Sequence, residues 1–285
     1  MALMEDRNIT SALYVVATPL GNLDDITLRA AATLREADLI ACEDTRHTRP
    51  LLDRLGVART PLLALHEHNE NAAAERIVAA LAEGKSVALV SDAGTPGISD
   101  PGARAVAAVR TAGYRVAPLP GPNAAAAAMS VAGLPDARFL FAGFLPTKSA
   151  ARRAEIEKLA AVDAALVFYE APHRIEETVA DLAAVLGAQR TLVVARELTK
   201  LFEQVAAMPV GEGPAWLAED ANRRRGEFVL VVSGPPPLVG LGTEEERVLR
   251  LLLDELPVKQ AAKLAASITG AAKNALYERA LEIKG

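Results

Sequence analysis

The densest chemistry in the chain lies in eleven residues, Asp92–Gly102 (DAGTPGISDPG), which hold three glycines, two prolines and two aspartates. Glycines at that density let backbone approach a ligand closely, and Asp92, Thr95 and Ser99 offer side-chain oxygens. A surface turn is the plain alternative, but the segment is long for a simple strand-to-helix connection, and long ordered loops carry function. Its carboxylates would repel a phosphate, so a cation, a ribose or an amine suits it better. Two other segments bear on the same question. Val16–Asn22 (VATPLGN) has only Gly21 where a dinucleotide fingerprint needs G-x-G-x-x-G. Gly143–Ser149 (GFLPTKS) ends in Lys148-Ser149, but Thr147 precedes the lysine where a P-loop needs glycine. Neither is a phosphate cradle.

Other reactive residues are sparse. Cys42 is the single cysteine, so a disulfide framework and a multi-thiolate metal site are excluded, and a reducing compartment is expected. His66 and His68 would share a face on a strand, yet no third ligand accompanies them, and no metal is expected. Glu43-Asp44-Thr45 either caps the helix after it or, with Arg46 and Arg49, forms part of an acceptor site. His47 falls on that helix, and His173 begins another. Arg223–Arg225 is either a solvated turn or a phosphate contact. The formal charge is −5, so contact with nucleic acid must run through a local patch.

The elements that hold these residues alternate. Strand-length apolar runs at Leu13–Ala17, Leu39–Cys42, Pro61–Leu65, Ser86–Val90 and Arg115–Leu119 are separated by helical spacing over Asp25–Ala37, Arg46–Leu55, Asn71–Ala82 and Arg104–Thr111. That is a parallel sheet covered on both faces. The second half reads as strands Phe139–Phe141, Ala165–Tyr169, Thr191–Ala195, Phe202–Ala206 and Phe228–Val232, with helices Ala150–Ala161 and Arg174–Leu186. Two successive strands there lack a helix between them, which implies a mixed sheet with a hairpin. The fold class is α/β: two α/β domains, 12–121 and 122–234, joined near Pro120–Asn123, and a helical segment, 241–285, after the stiff Gly234–Pro237 linker. Val116–Pro135 is uncharged and of membrane length, but its four prolines forbid a spanning helix, and no membrane association is expected. The N-terminus carries Glu5 and Asp6 and no apolar core, so no signal peptide is expected.

The order VATPLGN, DAGTPGISDPG, PLPGPNA (Pro118–Ala124), LVFYEAP (Leu166–Pro172) and GEFVLVVSG (Gly226–Gly234) resembles the tetrapyrrole-methylase superfamily over Leu13–Gly234. More narrowly the chain is similar to the branch that methylates a cytidine 2′-hydroxyl in the decoding region of small-subunit rRNA. That likeness rests on Ala41–Leu52 (ACEDTRHTRPLL), Leu65–Glu70 (LHEHNE), Phe141–Lys148 (FAGFLPTK), Phe168–Thr178 (FYEAPHRIEET) and Arg196–Val205 (RELTKLFEQV). The resemblance implies a cleft for S-adenosylmethionine between the two α/β domains, a homodimer, a cytoplasmic location, and small-subunit rRNA or the ribosomal particle as substrate. It implies cofactor contacts at Leu20, Val90, Ser91, Asp92, Thr95, Asn123, Ala124, Tyr169 (or Glu170) and Leu198. Porphyrin methylases of the superfamily end the first loop in Gly-Asp and often read Gly-Asp-Pro in the second. Here those positions are Gly21-Asn22 and Ser91-Asp92-Ala93.

Methyl transfer to a ribose hydroxyl profits from a general base. Glu43, Asp44, His66, Asp100, Glu170 and Glu197 are candidates, and Asp100 and Glu170 are favoured because both follow strand ends. Arg46, Lys148 and Arg152 are placed to meet RNA backbone. From Pro257 onward, five basic and two acidic residues leave +3. Val258–Leu281 resembles a helix-turn-helix with Lys273 opening its second helix, set to dock on RNA, or else packs as a helical cap. Two rival functions fit parts of the chain: a porphyrinoid C-methyltransferase, and a ligand sensor with a nucleic-acid-binding output.

Overall fold

In the computed structural model, which describes residues 9–135, 138–235 and 242–284, five short apolar strands build a wholly parallel sheet. They are β1 (Leu13–Val16), β2 (Leu39–Cys42), β3 (Leu62–Ala64), β4 (Val87–Val90) and β5 (Val116–Leu119), in the order β3-β2-β4-β1-β5. Central β4 reads Val-Ala-Leu-Val and is buried throughout, because both faces are covered. Ala88 and Val90 face α1 (Leu28–Glu36) and α2 (Thr45–Arg54); Val87 and Leu89 face α3 (Glu70–Ala82) and α4 (Ala103–Thr111). The expected helix over Asp25–Ala37 is divided. A 3-10 turn at Leu23–Asp25 ends at extended Ile26, and α1 restarts where the Thr27 hydroxyl accepts from Ala30 N–H.

The second sheet has the order β6-β7-β10-β8-β9, from β6 (Phe139–Phe144), β7 (Ala165–Glu170), β8 (Thr191–Arg196), β9 (Gln204–Pro209) and β10 (Phe228–Val232). Only β6 and β7 run parallel, so the sheet is mixed, with β8 and β9 as the hairpin. One face packs on α6 (Ser149–Leu159), α7 (Ile175–Leu186) and α8 (Gly213–Glu219); the other receives α5 (Ala124–Val131) through Ala125 and Ala128. Small side chains let that helix lie close to β10. β9 starts two residues later than expected, because Thr199 adopts φ 66° and its N–H donates to Glu203 at 2.6 Å, holding Leu201–Glu203 in the turn. β6 runs three residues further than expected, across a bulge at Gly143.

The chain divides into two compact units, Met1–Gly234 and Pro235–Gly285. The second holds α9 (Thr243–Glu255), α10 (Val258–Thr269) and α11 (Lys273–Lys284) around Leu249, Leu253, Ala261, Ala265, Leu276 and Ala280. Left-handed Gly270 (φ 77°) ends α10, and Arg279 ties α11 to Glu246 of α9 at 2.8 Å. Pro236 and Pro237 of the expected linker, and Glu5 and Asp6, lie outside the described residues. Among the described residues no helix is long and apolar enough to cross a membrane, and Val116–Pro135 folds as β5, a turn and α5.

Candidate active site

In a parallel sheet the loops at the carboxyl ends of the strands hold the ligand. Here the loops after β1 and β4 interlock: Thr18 and Gly94 exchange backbone hydrogen bonds of 2.8 and 3.0 Å. The Thr18 hydroxyl donates to Ser91 O at 3.1 Å, and the Ser91 hydroxyl to Gly94 O at 3.2 Å. Gly94 has φ 81°, and a Cβ there would sit 3.2 Å from Leu20 Cδ2, so its bare backbone forms the floor of the site. The Thr95 hydroxyl donates to Pro122 O at 3.0 Å. The buried Glu70 carboxylate accepts from Gly102 and Arg104 N–H at 2.9 and 2.8 Å and pins the far end of the loop.

This loop faces the second sheet across a cavity of about 340 Å³. Leu20, Thr95, Ile98, Ser99 and Asp100 form one wall; Phe144, Tyr169, Glu170, Ala195, Leu198 and Val229 form the other; Asn123 and Ala124, at the start of α5, close one side. A direct bond joins the two halves, from Asn22 N–H to Thr199 Oγ1 at 3.2 Å, while Ala125 N–H donates to the Tyr169 hydroxyl at 3.2 Å and ties α5 to β7. The aliphatic stem of Lys200 lies on Gly21, where a Cβ would come within 2.2 Å of it. Lys200 Nζ reaches Glu197 and Glu227 at 3.0 and 2.8 Å. Burial raises the Glu197 pKa, but the Glu227 N–H and Lys200 outweigh it, and the net shift is downward.

Asp100 is a cavity carboxyl with a strongly displaced proton affinity. Burial first, and then the charge of Glu43, push its carboxyl up to about 6 against a hydrogen bond from Ser91. Burial and Asp92 also push Glu43 up. A carboxyl balanced near neutrality in a cavity wall is suited to taking a proton at physiological pH.

Of the expected cofactor residues, Leu20, Thr95, Asn123, Ala124, Tyr169 and Leu198 line the cavity; Val90, Ser91 and Asp92 do not. Val90 is a core side chain under α1 and α2. Ser91 is spent inside the loop. Asp92 points away to accept from Asp44 N–H at 3.1 Å and to pair with His47 Nδ1 at 2.9 Å, raising the His47 pKa. Glu170 lines the cavity but is buried and bonded to neighbouring groups. Its Oε2 accepts from Thr178 at 2.6 Å, and its Oε1 from Ala171 N–H at 2.8 Å and beside Arg174 at 3.2 Å. Three of the carboxylate's four acceptor positions are taken, and the residue is only 2% exposed, so little of it can meet a substrate proton.

The basic residues separate in the same way. Arg152 is 0% exposed and pairs with Asp181 at 2.6 Å and Glu177 at 3.1 Å, so it cannot reach RNA. Its position on α6 turns it toward α7 rather than outward. Arg46 is exposed and pairs with Asp44 at 2.7 Å. Asp44 is the N-cap of α2 and accepts from Arg46 N–H at 2.8 Å, so the capping role of the Glu43-Asp44-Thr45 segment is present. Lys148 is exposed before α6, and Lys273 is exposed at the first residue of α11. His66 and His68 sit in a turn after β3 rather than on a strand, with rings 6.2 Å apart; among the described residues no group of three His, Cys, Asp or Glu side chains could hold a metal ion. Glu70, Lys200 and Phe144 fall inside segments that carry the resemblance, but nothing local singles them out, because each makes its contact with a distant segment.

A family model described as tetrapyrrole (corrin/porphyrin) methylases matches residues 12–214, and one described as the RsmI C-terminal HTH domain matches residues 239–284. The chain is 51% identical to ribosomal RNA small subunit methyltransferase I of Pseudomonas aeruginosa, covering 96% of this chain and 98% of that one. It is 52% identical to the protein of that name from Escherichia coli O157:H7, covering 98% and 97%. Among solved structures, the methyltransferase CobJ superposes with a TM-score of 0.59 at 21% identity, covering 81% and 97%. Cobalt precorrin-4 methyltransferase superposes with 0.57 at 16% identity, covering 78% and 94%. At those identities the structures share the fold.

Proposed function

The chain belongs to the ribosomal RNA small subunit methyltransferase I family of tetrapyrrole methylases, and from that premise we propose that it methylates the ribose 2′-hydroxyl of a cytidine in the decoding region of small-subunit rRNA, with S-adenosylmethionine as donor. The donor set fits that cofactor. The cavity volume lies at the lower end of the range for small-molecule sites, its walls are largely apolar, and carboxylates offer charge to a cation. Leu20, Gly94, Thr95, Asn123, Ala124 and Leu198 would hold it. When bound, it supplies a methyl group on a sulfonium, with a neutral thioether as leaving group.

The rest falls to the chain's own side chains. The interlocked loops after β1 and β4 fix the cavity floor, and orientation of two reactants can be worth about 7–11 kcal/mol. Asp100 accepts the hydroxyl proton as the acceptor oxygen turns nucleophilic, a contribution of roughly 10²–10⁴-fold. Glu170 orders the end of β7 through Thr178 and Arg174 and takes no proton. The observation that carries this reading is the Asp100 carboxyl, set in the cavity wall and pushed up to about 6.

Lys148, Arg46 and Lys273 are the phosphate contacts of this reading, supported by their exposure. In this reading the chain acts as a homodimer in the cytoplasm on small-subunit rRNA or the ribosomal particle, with domains 12–121, 122–234 and 241–285. Incubation with methyl-labelled S-adenosylmethionine, on small-subunit particles and on naked rRNA, tests it. Label on one cytidine 2′-oxygen is expected; label on a base carbon, or none on either RNA, rejects the reading.

A further inference from the structure

We propose that Phe144 is the platform on which the base of the acceptor nucleotide stacks, an inference that rests on the ribose-methylation reading. Phe144 ends the edge strand β6, lines the cavity, and is 53% exposed. Single exposed apolar side chains are common, and Phe144 is set apart as the exposed aromatic one in the wall of the cavity that holds Asp100.

The backbone is built to place it there. Phe141 pairs with Val167 of β7, while Gly143 pairs with Phe168 and Phe144 with Tyr169, so one extra residue of β6 is inserted between Phe141 and Gly143. In a regular strand, residues three apart face opposite sides of the sheet. The bulge cancels that alternation. Phe141 and Phe144 both meet the ring of Tyr169, at 4.7 and 5.8 Å between centroids, each edge to face. Gly143, at φ 67°, is the residue that permits the bulge, and a Cβ on it would lie 3.0 Å from the Ser99 hydroxyl. The same irregularity therefore turns Phe144 into the cavity and brings its strand against the residue before Asp100.

An edge-to-face contact occupies no more than one face of a ring, which leaves π surface for a base. A ribose that presents its 2′-hydroxyl to Asp100 carries its base only a few bonds away. In a folded RNA that hydroxyl is reached by drawing the nucleotide out of its stack, and an aromatic side chain replaces the lost stacking. Such a platform accepts any base, so Phe144 supplies affinity and orientation rather than choice of cytosine.

The test uses Phe144→Leu, which keeps apolar bulk without a π face, beside Phe144→Trp and Phe144→Ala. With small-subunit particles as substrate, the Ala and Leu variants should lose about 5- to 150-fold in kcat/KM, and Trp should stay near wild type. Calorimetric Kd for S-adenosylmethionine should move by less than about twofold in all three. Leu at wild-type efficiency overturns the proposal. So does a loss of S-adenosylmethionine affinity that accounts for the lost activity, since the ring would then be a cofactor wall. A wild-type chain that labels no ribose rejects the parent function and this inference with it; wild-type labelling beside an indifferent Leu variant rejects the inference alone. Thermal melts of each variant separate misfolding from lost stacking, and the Leu–Trp contrast survives if the Ala variant melts early.

Discussion

Replacing Asp100 with Asn removes the titrating group and keeps its size. The fold holds the carboxyl at about 6 against an ordinary 3.8, chiefly through burial and then through Glu43. About two pH units correspond to a ceiling of roughly 3 kcal/mol, and water at the cavity mouth lowers this to the order of 1–2 kcal/mol. A raised carboxyl pKa means that the folded state prefers the neutral acid. The associated stability is fully present below about pH 4 and is lost as the pH climbs through about 6. Asn mimics the neutral acid at every pH, so Asp100→Asn should match wild type in urea unfolding at pH 4 and exceed it above pH 7. The same substitution should cost roughly 10²–10⁴-fold in methyl transfer while calorimetry shows S-adenosylmethionine still bound. In the wild type, the rate should rise with pH through about 6 and then level off. Near-normal turnover in Asp100→Asn would falsify the assignment of the base, and a stability difference that does not grow between pH 4 and pH 7 would contradict the electrostatic account of its pKa.

Arg152→Met removes one of two arginine partners of Asp181 and leaves Arg153 at 2.6 Å and the Ser149 hydroxyl in place. Equilibrium unfolding should show a loss of about 1–3 kcal/mol, and filter binding at a permissive temperature should show unchanged RNA affinity. Gly21→Ala must displace the Lys200 stem, at a cost of about 1–3 kcal/mol, and calorimetry should find weaker S-adenosylmethionine binding; an unchanged Kd would mean that this packing does not shape the cavity. Truncation after Pro237 should weaken rRNA binding and spare S-adenosylmethionine binding, because every cavity residue precedes it. Equal RNA affinity in the truncated chain would assign α9–α11 a purely structural role.

Much of this architecture is a local property, legible wherever a pattern repeats along the chain. Val-Ala-Leu-Val at 87–90 reads as a strand covered on both faces because apolar side chains alternate without a polar break. Asp92–Gly102 reads as a ligand loop because glycine density is a statement about backbone freedom, and Asp100 inside it is a candidate base because it follows a strand end. The mixed second sheet followed from two apolar runs too close together to hold a crossover helix. Burial, partnership and aim were decided by the tertiary structure. Arg152 has the composition of a surface cation and became a core ion pair because α6 lies on α7 and Asp181 meets it there. Glu170 ends a strand as Asp100 follows one, yet Thr178, the Ala171 N–H and Arg174 engage both its oxygens, while Asp100 keeps a carboxyl held up by burial. Asp92 was drawn out of the site by His47, forty-five residues earlier. Strand and helix periods record which face a residue shows; they carry no record of which distant segment the sheet order will bring against that face, and that juxtaposition sets both a side chain's partners and its proton affinity.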